Sequence, residues 1–198
     1  MIIKRLYSSQ EVVEGLHLVW DVFIRENANS CTQQGIEEFS RFIKMENFMP
    51  LVESGEMIVF GAVEGRDLGG VGAVRRDGHI SLLFVRSDLR RKGIAKALVG
   101  EMCRYCAMQF ALMRMTVNAS VVSTEAYHHM GFRDLAPVQE KNGIRFAPMD
   151  LMISPANVRS SYNGKKHTGL FIGIAVTVLI FDIPGIALRK NHQQFCEW

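Results

Sequence analysis

The sequence predicts a mixed α/β domain in which a run of strands is combined with helical crossovers. Three observations carry that prediction. Two helical stretches follow a short opening strand, three β-rich stretches then succeed one another with turn signals between them, and after Lys92 helix and strand alternate. That order excludes an all-β and an all-helical fold.

Residues 1–7 read as the opening strand, and Ser8 or Ser9 as an N-cap. Val12, Leu16, Val19, Trp20, Phe23 and Ile24 recur at helical spacing behind it. A second helix is expected over 34–46, with Ile36, Phe39, Phe42 and Ile43 on one face and a loop near 47–53 after it. Residues 56–64 are apolar and β-rich, 65–70 supply a turn, and 71–75 give a partner strand. Asp77-Gly78 is a hairpin signal, and 79–85 complete a three-strand meander. A helix starts near Lys92, with Ile94, Leu98 and Met102 on its apolar stripe and small Ala95 and Ala97 near its start. Residues 113–119 return as a strand, 123–130 form a short helix closed by Gly131, and 143–153 make the last strand.

The chain has 198 residues, enough for one domain with an appendage. Its net charge of +3 resides after Ile153, because up to that residue Lys and Arg balance Asp and Glu one for one. A broad nucleic-acid face is therefore not expected, and any anion site must be local. Cys103 and Cys106 form a CxxC, but no second ligand pair stands at zinc spacing, and their helical setting suits two small packed residues. No metal site is expected. The opening residues lack the apolar core of a secretory signal, so a cytoplasmic body is expected. Residues 154–167 read as a polar linker. Residues 168–198 form an apolar tail, whose uncharged run 169–181 is short for a bilayer; Asp182 and Pro184 interrupt its extension to 188. A membrane helix, a segment packed on the body and a segment pairing with another subunit all stand as readings of it.

The stretch RSDLRRKGIAKAL, residues 86–98, concentrates charge and a glycine at a helix mouth. Unpaired N–H groups and the positive end of the helix dipole meet there, which suits an anion and disfavours cations unless an anion neutralises them. Gly93 and Ala95 allow close approach, and Arg90, Arg91 and Lys92 supply charge. A P-loop and a dinucleotide fingerprint are both absent. Gly69-Gly70-Val71-Gly72 reads as a hairpin and its edge.

The run Arg90-Arg91-Lys92-Gly93-Ile94-Ala95 resembles the (Gln/Arg)-x-x-Gly-x-(Gly/Ala) loop of the GNAT N-acetyltransferases, with Val85 ending the strand ahead of it. VNASVVSTEAYHHMGF, residues 117–132, is similar to the family's second motif: a strand, a short helix bearing a tyrosine, then Gly-Phe. The resemblance covers 1–153 and leaves the tail outside. It implies a mostly antiparallel central sheet flanked by helices, and an enzyme moving an acetyl group from acetyl-CoA to a primary amine. It implies that the pyrophosphate rests on N–H groups of Arg91, Lys92, Gly93, Ile94, Ala95 and Lys96, with Arg90 and Lys96 side chains in reach. Pantetheine would run along Leu83, Phe84 and Val85, with an N–H of Phe84 or Val85 polarising the thioester carbonyl. Tyr127 would protonate the leaving thiolate. Asn118 is either a coenzyme contact or a strand-end turn former.

The general base is not identified: Glu37, Glu38 and Glu56 border the expected acceptor side, and His128 and His129 adjoin Tyr127. The acceptor is a small-molecule or protein amine, and a homodimer is left open. The alternative is a non-catalytic acyl-CoA-binding module tethered to a membrane or partner by the tail.

Overall fold

The computed structural model describes residues 1–154. The linker expected at 154–167 lies beyond them but for Ser154, and the tail at 168–198 lies wholly outside. Among the described residues no helix is long and apolar enough to cross a membrane.

The chain opens with β1 (Ile2–Leu6) and α1 (Ser9–Glu26). Ser8 caps α1 reciprocally: its hydroxyl accepts from the Glu11 N–H at 3.3 Å, and the Glu11 carboxylate accepts from the Ser8 N–H at 3.2 Å. A single 3₁₀ turn over 28–30 leads to α2 (Gln33–Ile43) and α3 (Met45–Glu53). The expected single helix over 34–46 is thus divided at Lys44, whose ψ is 135°, and the expected loop at 47–53 is helical. Pro50 lies inside α3 against its usual effect. Phe48 and Val52, both buried, hold α3 onto the core, and that burial outweighs the missing backbone donor.

The meander is β2 (Met57–Glu64), β3 (Asp67–Arg75) and β4 (His79–Val85). The expected turn at 65–70 contracts, and Gly69-Gly70-Val71-Gly72 lies inside β3 rather than at a hairpin edge. Close packing accounts for the glycine: a Cβ at Gly70 would stand 3.0 Å from the Phe84 carbonyl oxygen and 3.1 Å from Ile94 Cγ2. Then come α4 (Ile94–Phe110), β5 (Arg114–Ser120) and α5 (Thr124–His129). β6 (Arg133–Asp134), β7 (Gln139–Lys141) and β8 (Ile144–Met152) close the fold. β7 was not expected: its three residues are all exposed, so no apolar pattern marks it.

The strands form one sheet in the order β1-β2-β3-β4-β5-β8-β6, with β7 also on β8. Every pairing is antiparallel except β4 with β5. Each face carries its own core. Val19, Phe23, Phe39, Phe48, Val71 and Phe84 join α1–α3 to one face. Leu83, Leu98, Met102, Met115, Tyr127 and Met149 join α4 and α5 to the other. Cys103 and Cys106 belong to this second core, and burial pushes both thiols up to about 12. Among the described residues no His, Cys, Asp or Glu group could hold a metal ion.

Candidate active site

The parallel pair β4–β5 is short. His79 pairs with Thr116 and Ile80 with Val117, and there the pairing stops. β4 remains on β3 as far as Val85, and β5 remains on β8 as far as Ser120. The sheet therefore divides into two arms with a gap between them. A register shift between Ala73 and Val74 inserts Ser81 as an extra residue in β4 at the root of the gap. The Ser81 hydroxyl is buried and has no hydrogen-bond partner among the described residues.

Alternation along β4 decides which amides face the gap. The Arg86 N–H donates to the Gly69 carbonyl at 3.0 Å, toward β3. Two residues back, the main-chain groups of Phe84 face β3 as well, and those of Leu83 and Val85 face the gap. Of the two thioester donors expected, Val85 has its N–H on the gap side and Phe84 has its own on the β3 side. Unpaired strand groups of this kind are a template for an extended ligand.

The mouth of α4 adjoins the gap through the loop after β4. Gly93 caps α4 with φ 80°, a conformation glycine adopts without strain, and no side chain caps the helix. The first helical bond runs from the Ala97 N–H to the Gly93 carbonyl at 2.9 Å, so the N–H groups of Ile94, Ala95 and Lys96 have no intrahelical partner. The space beside the Gly93 Cα is open. Arg91, Lys92 and Lys96 are exposed around it. The Arg90 guanidinium is instead turned to Glu26 at the end of α1, in an ion pair. Its expected reach toward phosphate is not how this side chain is used here. A cleft of about 520 Å³ flanks the loop on the α1 side, lined by Glu14, Asp21, Arg25, Arg86 and Asp88 among others. Arg86 pairs with Asp88 at 2.7 Å in this wall.

Tyr127 lies on the α4 side. It is fully buried and packs edge-on against Phe132, with ring centroids 5.1 Å apart. Its hydroxyl has no hydrogen-bond partner among the described residues, and burial raises its pKa well above the ordinary phenol value. An unmet buried hydroxyl costs about 1–3 kcal/mol. Asn118 is on the opposite face, because its neighbours Val117 and Ala119 belong to the α4-side core.

His79 was missed in the sequence. By the same alternation Thr116 faces the α1 side, and His79 Nδ1 lies 2.9 Å from Thr116 Oγ1. This puts an imidazole on the α1 face at the root of the gap, opposite the face that carries Tyr127. Its only sequence signal was a polar residue opening an apolar strand. The residues considered earlier as bases are held elsewhere. Glu38 pairs with Arg41 at 3.0 Å, Glu37 accepts from Gln33, and Glu56 is exposed. His128 is exposed and 3.0 Å from Asp134, and His129 lies 3.7 Å from Glu125.

Residues 27–153 match the family model described as an acetyltransferase (GNAT) domain. Among solved structures, a GCN5-related N-acetyltransferase from Rhodopseudomonas palustris superposes with a TM-score of 0.64 at 14% identity, over 76% of this chain and 94% of that one. The PaiA N-acetyltransferase from Thermoplasma acidophilum, in complex with coenzyme A, gives 0.62 at 15% identity, over 77% and 99%. Spermidine N-acetyltransferase from Vibrio cholerae, in complex with CoA and spermine, gives 0.55 at 13%, over 76% and 94%. At these identities the likeness establishes the fold. No curated protein sequence matches the chain.

Proposed function

The chain belongs to the GNAT acetyltransferase family, and from that premise we propose that it is an N-acetyltransferase carrying an acetyl group from acetyl-CoA to a primary amine. The observation that carries this reading is the gap itself. It pairs an anion-ready helix mouth at one end with unpaired strand amides along one wall and a partnerless buried tyrosine hydroxyl on one face. These features fit the three parts of the coenzyme: pyrophosphate, pantetheine and thioester.

The N–H groups of Ile94, Ala95 and Lys96 would hold the pyrophosphate, and Arg91, Lys92 and Lys96 would neutralise it. Leu83 and Val85 would bind pantetheine as an added strand, with the deeper Leu83 N–H toward the thioester oxygen. When bound, acetyl-CoA supplies the acyl group and a thiolate leaving group. His79 would take a proton from the acceptor nitrogen, directly or through one water, as that nitrogen attacks from the α1 face. The N–C bond forms, the C–S bond breaks, and Tyr127 gives its proton to the departing sulfur. Solvent returns the proton from His79 to Tyr127. Holding both partners in the gap supplies the remaining acceleration.

The acceptor is an amine of unassigned structure. Two of the similar structures bear names for small amines or their complexes, spermidine and an aminoglycoside, which supports a small-molecule amine over other acceptors. The test is to follow free thiol on mixing the chain, acetyl-CoA and a panel of amines, with product masses. Amine-dependent thiol release and a mass gain of one acetyl are expected. Saturable coenzyme binding without release across the panel would establish the alternative, a non-catalytic acyl-CoA-binding module.

A further inference from the structure

An imidazole has two ring nitrogens, and a neutral one can take a proton at only one of them. Which nitrogen that is depends on the bond the other makes. His79 Nδ1 lies 2.9 Å from Thr116 Oγ1. The distance alone leaves the direction of the bond undefined, because a hydroxyl both donates and accepts. The next strand of the sheet supplies the direction.

The pair is held in place by the main chain. The His79 N–H donates to Asp77 Oδ1 at 3.0 Å, and the Thr116 N–H donates to the Gly78 carbonyl at 3.1 Å. His79 and Thr116 are partners in the parallel β4–β5 register, one pair before the strands part. The row continues across the sheet, because Thr116 stands directly opposite Asp150 in the β5–β8 register. Met115, Val117, Met149 and Leu151, which flank the two, belong to the α4-side core, so Thr116 and Asp150 both face the α1 side. Directly opposed residues have Cβ atoms about 5 Å apart, which lets a hydroxyl meet a carboxylate directly or through one water. The Asp150 side chain is only 16% exposed, and Arg114 Nη1 lies 3.7 Å from its Oδ2, too far for a hydrogen bond. A carboxylate accepts and does not donate. The Thr116 hydroxyl is the donor that the register sets before it.

We propose that Thr116 and Asp150 are positioning residues for His79. The Thr116 hydroxyl turns its hydrogen toward Asp150 and accepts from the His79 Nδ1–H. Nε2 is then the nitrogen that takes the proton of the attacking amine, and the proton leaves it for solvent. The Asp150 charge, carried through the hydroxyl, steadies the imidazolium that forms in between, as a third group does for an oriented base. Without the Thr116 acceptor the ring loses what fixes its tautomer. This assignment deepens the acetyltransferase reading given above and rests on it.

The test reads the ring itself. In the full chain with isotope-labelled histidine, above about pH 8 where imidazoles are neutral, long-range proton–nitrogen spectra show which nitrogen bears the hydrogen. The His79 signals are those lost in His79→Gln. The parent is expected in the Nδ1–H form. Thr116→Val keeps the side chain's shape without an acceptor. It should move His79 toward the Nε2–H form and lower kcat by about tenfold or more, with KM for acetyl-CoA within about twofold. Thr116→Ser should restore both the tautomer and kcat. Asp150→Asn, which removes the charge behind the hydroxyl, should act in the same direction as Thr116→Val. Should Thr116→Val fail to fold, judged by circular dichroism, Asp150→Asn takes its place. An Nε2–H form in the parent overturns the positioning role, and so does a tautomer or a kcat left unmoved in the folded variant, while the acetyltransferase reading stands. Thiol release from no amine at all removes that reading and the positioning role with it.

Discussion

Two side chains on opposite faces of one gap divide the proposed proton work. Tyr127 is buried and protonated at neutral pH, so it holds a proton that a departing thiolate could take. Tyr127→Phe keeps the ring against Phe132 and removes only the hydroxyl. It is expected to lower kcat by about 10²-fold, a usual loss for a general acid, with the coenzyme Kd from calorimetry unchanged. An unchanged kcat would take the acid role from Tyr127. His79→Gln keeps a polar group near Thr116 but no proton acceptor. Its deficit in kcat/KM should be about 10²-fold near pH 7 and should shrink as pH rises toward the amine's own pKa of about 10, where the acceptor is already neutral. A deficit that is flat with pH would make His79 structural. Tyr127 was legible in the sequence through its motif, whereas His79 had no motif. Its proposed role comes from where β4 and β5 cease to pair, which no single strand records.

Among the elements, α1 and α4 begin in contrasting ways. α1 is capped by its own side chains, with Lys4 held 2.8 Å from Glu11, and these partners lower the Glu11 carboxyl to about 2. A carboxyl lowered on folding stabilises above its unfolded value, near 4.5, and loses that contribution as pH falls toward 2. Glu11→Gln keeps an oxygen for the Ser8 N–H and removes the charge, so it should cost about 0.5–1 kcal/mol at pH 7, the usual worth of a charge at a helix N-terminus, and almost nothing near pH 2. Urea titrations at the two pH values check this, and an equal loss at both would contradict the assignment. α4, in contrast, starts on a glycine with no side-chain cap, so its amides remain for a ligand. Gly93→Asp meets open space and strains only its own backbone, at about 1–2 kcal/mol. It also places a negative charge where the pyrophosphate is proposed to sit. Coenzyme affinity should fall at least tenfold with the fold retained, and an unchanged Kd would move the anion site elsewhere. The loop around Gly93 was legible because a glycine and cations at a helix start are local facts. α3 was not, because Pro50 marks a break that only the burial of Phe48 and Val52 overrides.

At the scale of the molecule, the described residues up to Ile153 already form a core on each face of the sheet. A chain ended at Ser154 is expected to unfold in one cooperative transition and to keep the parent's coenzyme Kd. A truncated chain that aggregates or loses binding would show that residues after Ser154 complete the domain. The sequence by itself determined the order of elements, the cap at Ser8, the hairpin at Asp77-Gly78 and the anion-ready start of α4. Each depends on hydrogen bonds and dihedral angles a few residues apart, and such preferences are written locally. Only the tertiary structure decided that β4 and β5 separate after Ile80, and that Leu83 and Val85 rather than Phe84 face the opening. Those features come from strand register and from contacts between distant segments, and they are fixed when the two faces of the sheet bury their side chains together.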